Sequence, residues 1–213
     1  MAVTFRFMRM HLPVLSDVYG PVPQGSLVTI LGTPESRLTA VVASLAREAV
    51  SNGSMVALLM YRGMPEDYLY LLEISGINIR VQLGKTVVVE NVEEPATGLR
   101  MAEEYASKGF SAIVLDYRGL SELSPSHLFD YLKKMMGRQV VTYLVLDKNV
   151  LTPQTYSWVS KLSEMVLEFR AVETPSGFER MVMLLTSKRF SRDIRINYRI
   201  TERGIAFEST TRL

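Results

Sequence analysis

The chain has 213 residues, 47% of them hydrophobic and 22% charged, enough material for one sizeable core and too little for a comfortable second. Its 24 basic and 22 acidic side chains leave a net charge of +2, too near zero to hold nucleic acid or a membrane by bulk electrostatics, so any basic surface must be local. Without cysteine there are no disulfides, thiolate metal sites or cysteine nucleophiles, and with only His11 and His127 a histidine-rich metal site is excluded too.

At the amino terminus, "MAVTFRFMRMHLPVL" breaks its apolar residues with Arg6, Arg9 and His11 and so lacks the continuous run of a signal peptide. No later stretch is long enough to span a bilayer, and the expected location is cytoplasmic. "SLVTILG" reads as a buried strand. From residue 36 to 52, Leu38, Val41, Val42, Leu45 and Ala49 fall on one helix face that closes at Gly53. "SMVALLMY" is the next strand, "PEDYLYLLEISG" a helix ending at Gly76, and "TVVVEN" a further short strand. A helix over 95–108 ends at Gly109, and "SAIVLD" is an apolar run closed by a carboxylate. Ser124 and Pro125 supply an N-cap and first-turn proline for a helix reaching Gly137, followed by the strand "QVVTYLVLD". Beyond it, "YSWVSKLSEMVLEFR" reads as a short helix running into a strand, and "ERMVMLLTSKRF" and "DIRINYRITERGIAFES" as paired antiparallel strands. The expected fold class is therefore α/β in three layers: a mostly parallel sheet with helices on both faces and antiparallel C-terminal strands at one edge. We expect one domain over 1–213, with 1–21 as an N-terminal extension and 22–209 as the core.

"ILGTPESRLTAV" has the outline of a phosphate-binding loop. A strand ends in Gly32, and Thr39 follows where G-x-x-x-x-G-K-[ST] would end, but Arg37 and Leu38 stand where glycine and lysine belong. With the entry "VPQGSLVTILG", the strand "AIVLD" and the closing "YRITERGIAFE", the chain resembles the RecA-like ATPases of the KaiC and RadA-like group. The resemblance implies a nucleotide-binding fold in which Gly32, Glu35, Arg37, Leu38, Thr39 and Asp116 occupy the loop and Walker B positions. A working loop converges backbone N–H groups on phosphate, neutralises it with lysine and holds Mg²⁺ through a hydroxyl. Here a side chain at Arg37 obstructs the approach, Glu35 repels phosphate, and Tyr61, Arg62 and Gly63 stand where the family places its acidic base. Leu38 extends the core stripe into the vacated pocket. Arg37 is a surface cation paired with Glu35 or Asp116, or else a substitute phosphate ligand.

Three readings follow. The first is a degenerate ATPase with no catalytic residues and no cofactor, assembling with itself or a RecA-like homologue as a recombinase-paralogue mediator or ring subunit. The second is a single-stranded DNA- or RNA-binding protein. It would use Lys188, Arg189, Arg192, Arg195 and Arg199, interleaved with aromatics for stacking, together with Tyr156 and Trp158. Against it stands an edge hairpin whose cations are merely solvated. The third is an atypical ATPase, taking ATP with Mg²⁺, in which Arg37 supplies the positive charge and an acid outside the motif positions water. No metal site and no membrane contact are expected.

Overall fold

The computed structural model describes residues 6–189 and 195–208. Strand β1 (Phe7–Met8), helix α1 (Pro13–Tyr19) and strand β2 (Val22–Pro23) lead into β3 (Ser26–Gly32), which has the bounds its apolar run predicts. A 3₁₀ turn (Pro34–Ser36) then joins β3 to α2 (Leu38–Ser51). The helix starts two residues later than its stripe suggests, because residues 34–36 take the tighter turn. After β4 (Val56–Tyr61) come α3 (Pro65–Ile74), a short α4 (Ile79–Gln82) that the sequence did not announce, and β5 (Val87–Val92). The chain continues through α5 (Pro95–Ser107), β6 (Ala112–Asp116), α6 (Pro125–Met135) and β7 (Val141–Asp147). It ends in α7 (Pro153–Leu162), β8 (Met165–Thr174), β9 (Gly177–Ser187), β10 (Arg195–Thr201) and β11 (Gly204–Phe207).

Among the described residues, nine strands form one sheet in the order β11-β10-β9-β8-β3-β7-β6-β4-β5. From β8 to β5 every pairing is parallel, while β9, β10 and β11 join antiparallel, as the alternation of elements requires. Successive Cβ atoms alternate across each strand, so the sheet carries two cores. On one face Val28, Ile30, Leu58 and Val145 pack under α1, α2 and α3; on the other Leu27, Leu31, Leu59 and Leu144 pack under α5, α6 and α7. Buried on α2 are Leu38, Val41, Val42 and Leu45, each worth roughly 1.5–3 kcal/mol of removed apolar surface.

The amino-terminal segment belongs to that first core. Met10, Leu12, Leu15 and Tyr19 are all buried, and His11 lies between Tyr143 on β7 and Ser54, with Nδ1 3.0 Å from the phenol oxygen and Nε2 3.3 Å from the hydroxyl. Burial lowers the pKa of this imidazole to about 4, against a smaller opposing pull from Glu48. Ser124 sits at the α6 N-cap but does not cap it: its hydroxyl lies 2.9 Å from that of Ser126. Among the described residues no helix is long and apolar enough to cross a membrane.

Candidate functional site

In this order of strands the loop after β3 and the carboxylate at the end of β6 open on the same end of the sheet, where open α/β sheets hold their ligands. The loop is folded in on itself. Ser36 N–H donates to the Thr33 carbonyl at 3.0 Å, Arg37 N–H to that of Pro34 at 3.1 Å, and the Ser36 hydroxyl to Thr33 at 2.6 Å. Pro34 has no N–H to offer. Arg37 sits at φ 58°, ψ 50°, the left-handed conformation natural to the glycine expected there and costing a side chain about 1–2 kcal/mol. Leu38 folds down over Gly32: a Cβ on that glycine would lie 2.8 Å from Leu38 Cδ2 and 2.4 Å from Ser36 Oγ. The C-terminal strands pin the loop from outside. Tyr198 donates to the Ser36 carbonyl at 2.8 Å, and Arg180 Nε to that of Glu35 at 3.0 Å. Glu35 itself is fully exposed, its carboxyl held below the usual range by hydrogen bonding at Thr33 first and by nearby Arg37 last.

Arg37 does not pair with Asp116. Arg118 takes that place, and the sequence reading missed it. Asp116, only 5% exposed, accepts two hydrogen bonds from one guanidinium, at 2.8 Å from Nε and 2.6 Å from Nη2. Nη1 of the same group donates to Thr39 Oγ1 at 2.8 Å, and Nη2 reaches the Tyr68 hydroxyl at 3.1 Å. Tyr68, buried on α3, in turn donates to Asp116. One planar cation therefore bridges the hydroxyl of the loop-end threonine and the strand-end carboxylate. Burial pushes the Tyr68 phenol well above its ordinary value, reinforced by the Asp116 charge. Burial acts to lower the Arg118 pKa, but bonding to Asp116 and Tyr68 outweighs it, so the group is locked as a cation. The stretch "LDYRG" placed an arginine two residues after the carboxylate, within side-chain reach of it, which was the available signal; nothing in the sequence brought Tyr68 there.

Beside this bridge lies a cleft of about 810 Å³ whose walls carry Arg37, Arg118 and Arg180 together with Thr39, Glu66 and Asp67. At the end of β4, where a carboxylate would be needed to activate water, Arg62 takes φ 51° and lies 5.1 Å over the Tyr61 ring. At the end of β7, Asp147 accepts from the Asn149 N–H at 2.8 Å, a turn-stabilising role.

Lys188 and Arg189 lie at the far end of β9, where Lys188 Nζ reaches the Leu162 carbonyl at 3.3 Å and Arg189 is paired with Glu164 at 2.6 Å. Arg195 and Arg199 are exposed on one face of β10, as alternation predicts, but Tyr198 points the other way into the core and offers no ring for stacking. Arg192 lies outside the described residues. On α7, Trp158 is exposed with Lys161 Nζ 5.0 Å over its ring, and Tyr156 is exposed two residues before it.

No protein-family model matches the sequence, and no curated protein matches it. Among solved structures, the chain is similar to a KaiC-like protein from the hyperthermophilic archaeon Pyrococcus horikoshii. The TM-score is 0.77 at 14% identity, over 97% of this chain and 100% of the other. The likeness shows the fold, a KaiC-like form of the RecA architecture.

Proposed function

We propose that a chain with this fold and this loop does not hydrolyse ATP and acts by binding, as a non-catalytic partner in an assembly with itself or with a RecA-like homologue, in the manner of a mediator or ring subunit. The observation that carries the reading is the Arg118 bridge between Asp116 and Thr39. Those two side chains are the ones a magnesium nucleotide would need, and both are already engaged by a cation of the chain's own. Magnesium ATP does not fit the residues present. The Ser36 and Arg37 amides are turned into the loop, Leu38 lies where the charge-neutralising lysine would stand, and the end of β4 carries no carboxylate to position water.

Calorimetric titration with ATP and with ADP, each with Mg²⁺, tests the reading. The expected result is no detectable heat and no change in melting temperature at millimolar nucleotide. Saturable binding with turnover overturns it.

A second reading, single-stranded nucleic-acid binding, draws support from Arg195 and Arg199 exposed on a common face of β10. If they track phosphates, replacing both with alanine lowers the slope of log affinity against log salt by about 1.4, at roughly 0.7 per contact. Binding indifferent to both changes removes this reading.

A further inference from the structure

We infer that the cleft between α6 and α7 receives helix α3 of a second copy of this chain, joining copies head to tail. The choice of partner rests on the assembly reading above; the surfaces themselves do not depend on the state of the loop.

The cleft measures about 460 Å³ and opens at the amino-terminal ends of β3 and β8. Its α6 wall presents two large apolar side chains, Phe129 at 56% and Met136 at 68% exposure. Around it stand Lys133 on α6, Lys161 on α7 and Lys188 beyond β9, all exposed, and none paired with a carboxylate among the described residues. The contrast with their neighbours is local: Lys134 is held by Glu103 at 3.0 Å, and Glu164, the carboxylate lining the cleft, is held by Arg189 at 2.6 Å. An apolar trough ringed by three cations that have no carboxylate partner among the described residues suits an amphipathic helix with several carboxylates along it. A lipid headgroup would instead need the cations gathered at one point.

Helix α3 has that character. Tyr68 and Leu72 anchor it to the core, while Glu66, Tyr70, Glu73 and Ile74 form an outward stripe with the spacing of one helix face. Met64 and Tyr70 are 69% and 65% exposed. Glu66, Asp67 and Glu73 are exposed and form no ion pair among the described residues, although the first two face the arginine-lined cleft. Because α3 covers one face of the sheet and α6 and α7 the other, a chain cannot fill its own cleft. The two surfaces differ, so the contact is heterologous, and each copy keeps one free helix and one free cleft to extend a ring or filament.

Sedimentation velocity on the full chain, over a series of concentrations and salt, tests this. Association is expected, weakening with salt. Lys133→Glu with Lys161→Glu should raise the dissociation constant by at least about tenfold, as should Glu66→Lys with Glu73→Lys, while mixing the two reversed variants restores association. All four positions are exposed, and the milder Lys133→Ala with Lys161→Ala should give a smaller loss if either reversal disturbs folding. A chain that is monomeric at every concentration overturns the inference, as does association indifferent to the reversals, or a monomer that uses these lysines to bind an oligonucleotide. A monomeric chain that also takes up no nucleotide would end the inference and leave the loss of ATP hydrolysis standing, so the two fail separately.

Discussion

Arg118 and His11 show how single side chains set the protein's electrostatics. Replacing Arg118 with alanine leaves Asp116 buried at 5% exposure without its counter-charge. The guanidinium is itself one-third exposed, so the cost should fall below that of a fully buried pair, at about 2 kcal/mol by urea denaturation. Lysine should recover only part of it, since a single ammonium cannot span the carboxylate, Thr39 and Tyr68 together. His11 governs the response to acid. The unfolded chain protonates it near pH 6.5, whereas the buried ring resists until about pH 4. Its contribution is therefore complete above pH 6.5 and is lost as pH falls toward 4, with about 2 kcal/mol gone at pH 5. His11→Gln should flatten that part of the stability profile, and a variant as acid-sensitive as the parent would assign the effect elsewhere.

At the scale of elements, the loop keeps a backbone conformation that suits glycine while carrying arginine. Arg37→Gly should therefore stabilise the chain by about 0.5–1 kcal/mol, read as a higher urea midpoint. The turn between β10 and β11 works in the opposite sense. Gly204 has φ 111°, and a Cβ there would lie 2.1 Å from the Ser44 hydroxyl that accepts the Ile205 N–H at 2.8 Å. Gly204→Ala should cost about 2 kcal/mol by the same measurement. Legibility followed the same division. Runs such as "SLVTILG" and stripes such as Leu38–Val41–Leu45 announced their elements because periodicity is a local property, and the strand types followed from their alternation with helices. The short α4 and the 3₁₀ turn carry too few residues for a period. The Tyr68 contribution to the site depends on how α3 settles against β6, which no local pattern records, and Tyr198 reads as an exposed aromatic until its strand's inward face is known.

For the whole molecule, the amino-terminal segment is part of the core. Removing residues 1–21 takes Met10, Leu12, Leu15 and Tyr19 out of it and should cost more than about 5 kcal/mol, enough to unfold a protein of ordinary stability at room temperature. A truncated chain that still melts cooperatively near the parent's temperature would contradict this. The Arg118 bridge also has a mechanical meaning. Its three contacts tie α2 at Thr39, α3 at Tyr68 and the end of β6 at Asp116 to a single planar group, so these elements are triangulated across the top of the sheet. Amide hydrogens at the start of α2 and along α3 should then open as one unit in hydrogen exchange, and loosening any corner of the triangle should slacken the other two with it.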